Sequence, residues 1–281
     1  MADGVNSIGV TEARRVAMAL AQWGGEAFAD WALNAFAHRV SVALTHFDLP
    51  NTEALLDRLS REGRAFYGLL LARLIPPTTE MFRDPTFWCA LRDEVLPRLR
   101  RDAREELRVW VAAPESGEEL YSLCILLEEM GLRARCRVMA TQLASSLGVW
   151  GQRVELPAKR MEVDGANYAR YSGRGNFEDY TEVDAGGRYL RRELLEGVQG
   201  VEQSMRLAPW GQAPVHLILC RNFFLYLNGG LANANLHVLA GALRPGGALA
   251  VGVGERLSSY PNGSRFTAMI EHEGVYRRLK A

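Results

Sequence analysis

Between residue 11 and about residue 74, apolar positions recur at helical spacing, as in Leu55/Leu59 and Phe66/Leu70/Leu74. Leu49, Pro50, Asn51 and Thr52 supply a turn and an N-cap inside that run. The pattern predicts an all-helical bundle. Pro76 and Pro77 interrupt it, because proline removes an amide donor and restricts the residue before it, so the boundary between an N-terminal helical domain (1–76) and a second domain (77–281) is expected there. Beyond it the period changes. A helix over about 85–100 precedes RVWVAA (108–113), a helix from Gly117 to Met130 and RCRVMA (135–140), the strand, helix, strand order of a parallel unit. VHLILC (215–220) is a near-continuous apolar run suited to a strand buried on both faces. A helix over about 230–243, an RPGG turn (244–247), the strand ALAVGV and a final pair of strands around His272, Glu273 and Gly274 complete the pattern. The whole predicts an α/β, doubly wound sheet with an antiparallel edge hairpin. The stretch from about 150 to 204 breaks the alternation. Two short strands around Asp184–Gly187 predict a small inserted β subdomain or flap there.

Composition narrows the function classes. A chain of 281 residues with 48% hydrophobic content can bury a substantial core. The 33 Lys and Arg balance 33 Asp and Glu, so no global field attracts polyanions and a nucleic-acid binder is disfavoured. All cations except Lys159 and Lys280 are arginines spread along the chain, which reads as compositional bias. Cys89, Cys124, Cys136 and Cys220 lie far apart among mostly apolar neighbours, fitting buried thiols in a reducing compartment. The five histidines form no HExxH and no Cys/His cluster, so no metal site is expected. Asp3 and Glu12 precede the short apolar run VAMALAQW and no small-residue cleavage site follows, which speaks against a signal peptide. Nothing approaches 18 consecutive apolar residues, so no membrane insertion is expected and a cytoplasmic protein is.

Three motifs carry candidate chemistry, each with a plainer reading beside it. In VAAPESGEELYSL (111–123) a strand empties into a loop and a helix opens at Gly117, the place where an open parallel sheet binds ligands. Ser116 with Glu119 also matches an ordinary capping box. In CRNFFLYL (220–227), Arg221 and Asn222 end the most apolar strand, where buried polar groups require a ligand or a partner. An ion pair of Arg221 with Glu255 is the structural alternative, and Tyr226 either faces a cationic sulfur or packs in the core. PPTTEMFRDPTFW (76–88) is a turn-rich connector whose Arg83 serves the crevice only if the connector folds over it, and is otherwise a solvated charge or a partner of Asp84.

Taken together and in this order, TEMFRDPTFW, ESGEELYSL, MATQLA and CRNFFLYLN resemble the motifs of the CheR-type chemotaxis receptor methyltransferases, and the resemblance spans essentially the whole chain. It implies a Rossmann-like S-adenosylmethionine methyltransferase sheet and transfer of a methyl group to glutamate side chains of a receptor-like or signalling protein, leaving S-adenosylhomocysteine. By position it implies Thr79, Arg83, Ala113, Glu119, Gln142, Arg206, Leu207, Arg221 and Asn222 as cofactor contacts, with Arg83 and Tyr226 beside the transferred methyl. Three of the matching positions depart from the family pattern. Pro77 and Arg206 stand for asparagine, and Gln142 stands for the aspartate that holds the ribose hydroxyls. Pro114 and Glu115 also replace small residues of the first loop.

Such a reaction asks little of acid or base catalysis. A glutamate, with a reference pKa of about 4.3, is already a nucleophile at neutral pH, so alignment and exclusion of water dominate. Arg83 would hold a carboxylate bidentately and Glu119 would take the methionyl ammonium. Two other readings stay open: a non-catalytic CheR-like module that senses S-adenosylmethionine or S-adenosylhomocysteine or works through protein contacts, and a methyltransferase for a small-molecule or peptide carboxylate. The segment FAHRVSVALTHFDL offers only His38, Arg39 and His46 where the family is thought to dock acidic receptor helices, and reads as a packed helix.

Overall fold

The computed structural model describes residues 8–23, 28–74, 80–103, 106–112, 117–143, 153–203, 205–208 and 214–280, without the side chains of residues 29, 72, 102, 142, 143 and 202. The N-terminal region is helical as its periodicity predicts: α1 (Val10–Leu20), α2 (Leu33–His46), α3 (Thr52–Glu62) and α4 (Arg64–Leu74). Asn51 caps α3, its side chain accepting the Ala54 N–H at 2.9 Å. Arg39 is tied into the helical region. Its guanidinium reaches across to the end of α4 and donates to the carbonyls of Arg73 and Leu74, where free helix-terminal acceptors attract a cation.

The long helix expected over 85–100 forms as α5 (Pro85–Ala90), a π-helical stretch over Leu91–Val95, and α6 (Leu96–Asp102). Pro97 explains the widened turns, since it offers no N–H to the preceding turn, and the Leu96 N–H bonds instead to the Leu91 carbonyl. Then follow β1 (Leu107–Ala112), α7 (Glu118–Glu129), β2 (Cys136–Leu143), α8 (Ala158–Tyr171), the hairpin β3 (Thr181–Asp184) and β4 (Gly187–Leu190), β5 (Gln199–Gln203) and β6 (Val215–Leu219). The chain closes with α9 (Gly229–Ala242), β7 (Leu243–Ala250), β8 (Phe266–Ile270) and β9 (Val275–Arg278). The main sheet has the order β5-β2-β1-β6-β7-β9-β8, parallel from β5 to β7 and antiparallel at the β9 and β8 edge. This is the doubly wound sheet with an edge hairpin that the pattern predicts.

The structure corrects three sequence expectations. The 150–204 stretch is more than a flap: it holds the 14-residue α8, and β5 within it is an edge strand of the main sheet, while only β3 and β4 form the separate two-stranded ribbon. The inward positions of α8 are Asp164, Asn167, Tyr168 and Tyr171, a helical i, i+3, i+4, i+7 stripe that is half polar and so leaves no apolar period. RPGG is not a turn between elements but an excursion within β7. Val215 pairs with Leu243 and Leu217 with Ala248, so two residues of β6 span five of β7, with Gly246 at φ 82°. Finally, the helical region and the sheet do not have separate cores. Trp110, Ile218 and Leu249 on one sheet face are continuous with α9 and with Ala13, Phe36 and Leu70 of the helices, whereas Val109, Leu217 and Ala248 face α5–α8. Alternate strand residues thus enter opposite layers, as period-2 geometry requires. The expected boundary at Pro76–Pro77 lies outside the described residues.

Candidate active site

The C-terminal ends of β1, β2 and β6 share one edge of the sheet. At the β1 end, Gly117 caps α7 with φ 94°, a left-handed conformation open to glycine, and the first turn of α7 carries Glu118 and Glu119, both buried. At the β6 end, Arg221 turns into the same space with its side chain only 3% exposed. Its Nη1 lies 3.3 Å from Glu119 Oε1 and its Nη2 2.6 Å from Asp84 Oδ2, while the guanidinium lies over the ring of Phe87 at 4.1 Å. Two carboxylates and an aromatic face replace the water that this buried cation gives up. Its Nε has no partner among the described residues, so one directed donor remains for an incoming acceptor.

The suggested Arg221–Glu255 ion pair does not form. Glu255 instead receives the backbone N–H groups of Asn222 (2.9 Å), Gly252 (2.6 Å) and Leu225 (3.2 Å), and so fixes the turn that follows β6. That turn holds Asn222 at φ 56°, unusual for a residue with a side chain and found where geometry is imposed. Burial pushes the carboxyls of Glu119 and Glu255 up from their ordinary range. For Glu119, Arg221 pulls back while Glu255 and Asp84 push further, and for Glu255 the backbone donors oppose the rise. Two carboxylates, Asp84 and Glu119, therefore pair with one guanidinium while Glu255 lies near enough to oppose the charge of Glu119, an environment that favours a cationic ligand.

Arg83 is exposed, and its backbone carbonyl accepts from Trp88 Nε1 at 2.9 Å and from Arg221 at 3.4 Å. The connector therefore does fold onto the strand end. Asp84, absent from the sequence-derived site, is the residue that pairs with Arg221, so Asp84 is not the partner of Arg83. Tyr226 is half-buried against the shared core, and its carbonyl accepts the Ala32 N–H at 2.8 Å. Leu207 is held by Asn235 of α9, which accepts the Leu207 N–H at 3.0 Å and donates to the Met205 carbonyl at 2.7 Å. Arg206 is turned to Asp30 of the helical region, at 2.8 Å. Gln142 ends β2 opposite Glu202 of β5, with its side chain outside the described atoms, and Thr79, Ala113 and the capping candidate Ser116 lie outside the described residues. Sequence reading missed Asn235 and the α8 residues, and it named Asp84 and Glu255 only as ion-pair partners, of Arg83 and of Arg221, outside the site.

Comparison with known proteins gives the family. Residues 77–272 match the family model described as CheR methyltransferase, SAM binding domain. The chain is 30% identical to Cher3 of Pseudomonas putida over 85% of its length and 86% of that protein. It is 28% identical to the chemotaxis protein methyltransferase of Listeria monocytogenes over 64% of its length and 65% of the relative. It is 24% identical to chemotaxis protein methyltransferase 1 of Pseudomonas aeruginosa over 74% and 76%.

Proposed function

The chain belongs to the CheR methyltransferase family, whose domain binds S-adenosylmethionine, and from that premise we propose that it is a cytoplasmic enzyme that esterifies glutamate carboxylates of a receptor-like signalling protein. The observation that carries this reading is the acidic cluster at the sheet edge: Asp84 and Glu119 on Arg221, with Glu255 near Glu119, beside the backbone of the exposed Arg83. S-adenosylmethionine brings a sulfonium and an ammonium against one carboxylate, which suits a site with excess carboxylate. The unpartnered Arg221 Nε offers a donor for the carboxylate of the cofactor, and Glu119 an acceptor for its ammonium.

S-adenosylmethionine supplies the activated methyl group. The chain supplies alignment. Arg83, free of side-chain partners among the described residues, would fix the acceptor carboxylate, and the ring of Tyr226 would border the cationic sulfur and exclude water. No general base is required, because the acceptor is ionised at neutral pH. No helix among the described residues is long and apolar enough to cross a membrane, so a receptor in a membrane would be met from the side by its soluble part.

The test is calorimetry with S-adenosylmethionine and S-adenosylhomocysteine, followed by labelling of soluble receptor signalling domains with methyl-labelled cofactor. Label at glutamate, released as methanol in mild alkali, is the expected result. Cofactor binding with no label on any receptor domain would overturn glutamate transfer in favour of a sensing module. Alkali-stable label would overturn ester chemistry.

A further inference from the structure

The connector that carries Arg83 is gripped by side chains from two helices. The Met81 N–H donates to Asp164 Oδ1 at 3.0 Å and the Met81 carbonyl accepts from Asn167 Nδ2 at 3.1 Å, both residues of α8. The Phe82 N–H donates to Ser122 Oγ of α7 at 2.9 Å. Arg83 is flanked by two non-glycine residues in left-handed conformation, Phe82 at φ 50° and Asp84 at φ 56°. Such a pair persists only when its surroundings over-determine it, and outliers of this kind collect where geometry serves function. The Phe82 ring is fully buried, stacked on Tyr171 of α8 at 4.6 Å. The backbone, the ring and the turn are all held by α7 and α8.

We propose that Asp164 and Asn167, with Ser122, are positioning residues for methyl transfer: they clamp the strained 81–84 turn so that Arg83 is presented at the sheet edge. The proposal rests on methyl transfer as the activity of the chain. It gives the inserted region, through α8, a part in the reaction without touching substrate. The plainer alternative is that Asp164 merely stabilises the fold, and its chemistry argues against that. Asp164 is fully buried and faces Arg160 on its own helix, Glu118 of α7 and Glu80 of the connector. Burial pushes its carboxyl up to about 6, so a charge at this point burdens the fold at neutral pH. A neutral, well-packed residue would serve stability as well or better. Only a carboxylate offers one oxygen to Met81 and a second to Arg160 at 3.5 Å, whereas an amide can serve one of those donors.

The test combines Asp164→Asn, Asn167→Ala and Ser122→Ala, each alone and with Arg83→Ala. Amide exchange of the 80–84 segment reads the clamp directly and needs no methyl acceptor. Opening of Met81 and Phe82 is expected to rise about tenfold in Asp164→Asn, where a neutral hydrogen bond replaces a charge-assisted one, and roughly three- to tenfold in Ser122→Ala and Asn167→Ala, where one neutral bond is lost. The turnover number should fall by a similar factor, with no further loss once Arg83 is alanine, because the clamp acts through Arg83. Unchanged exchange, or losses that add fully to that of Arg83→Ala, would overturn the proposal. Should Asp164→Asn fail to fold, the other two variants carry the same comparison. If Arg83→Ala transfers methyl groups as well as the parent, the clamp has nothing catalytic to present and its role in the reaction is refuted, whereas failure to label any acceptor would sink the glutamate reading alone.

Discussion

Replacing Gly252 by alanine should weaken cofactor binding while leaving the fold in place. Gly252 follows β7 by two residues, and its N–H donates to Glu255 Oε2 at 2.6 Å beside the Asn222 N–H at 2.9 Å. A Cβ at this position would stand 3.0 Å from Glu255 Oε2 and 3.1 Å from Asn222 Cγ, with Asn222 Oδ1 nearer still. Ordinary contact needs about 3.5 to 4.0 Å, so the Asn222 carboxamide must swing away by roughly an ångström, which the end of a side chain can do and a backbone cannot. Gly252 is not in a left-handed conformation, so alanine meets no φ penalty there. What is lost is the aim of Asn222. One neutral hydrogen bond to a ligand is worth about 0.5 to 1.5 kcal/mol, which translates into roughly a three- to tenfold higher Kd for S-adenosylhomocysteine. Calorimetry should show that rise with only a small change in Tm, and the alanine should add nothing in an Asn222→Ala background. An unchanged Kd together with a Tm lowered by several degrees would refute the reasoning. Gly252 would then serve packing, and Asn222 would not be a cofactor contact.

Arg83→Ala should lower methyl transfer far more than Tm, since the exposed guanidinium packs against nothing described; equal losses in both would mark it as structural. Gln142→Asp should tighten S-adenosylhomocysteine binding about tenfold in calorimetry, because a carboxylate accepts from two ribose hydroxyls in charge-assisted bonds where an amide offers one oxygen. The Asp164 carboxyl, raised from 3.8 to about 6 by burial, favours the folded state below about pH 4, and that contribution disappears as pH rises through 6. Denaturant titrations of parent and Asp164→Asn should therefore show the stability of the parent relative to the variant rising as pH falls from 7 to 4, on the order of 2 kcal/mol; a pH-independent difference would show that Asp164 titrates normally.

How much was legible follows from what each segment buries. The strands β1 and β6 bury mostly apolar side chains on both faces, so runs such as VHLILC announce themselves. Asn51 announces its helix because capping is local chemistry. In contrast, α8 turns a half-polar stripe inward to grip a distant backbone, and hydrophobic periodicity cannot report such a face. The β5 strand, QGVEQ, is an edge of the sheet and has little apolar surface to show. In the site, the motifs located Arg83, Glu119, Arg221 and Asn222, but their mutual arrangement depends on Asp84 and Glu255, and the place of Leu207 on Asn235. Those three act through contacts that span 137, 33 and 28 positions, separations at which no spacing rule operates.

Arg206 shows how a departure from the family pattern can belong to a different part of the machine. Its guanidinium is 59% exposed and pairs with Asp30, itself a third exposed, so the ion pair adds little stability by itself. The main chain around it carries more weight. The Asn228 N–H donates to the Asp30 carbonyl at 2.9 Å, the Ala32 N–H to the Tyr226 carbonyl at 2.8 Å, and Trp31 bridges Leu227. Asp30 is thus shared between the 205–208 loop with Leu207 and the turn with Tyr226, both expected to border the cofactor. The helical region therefore touches both of those segments and also covers the apolar sheet face formed by Trp110, Ile218 and Leu249. A fragment beginning near residue 77 would expose that face and free the turn that carries Tyr226, while Asn235 still holds Leu207. Its loss of activity would report a dismantled site, and could not be read as loss of a receptor-docking module.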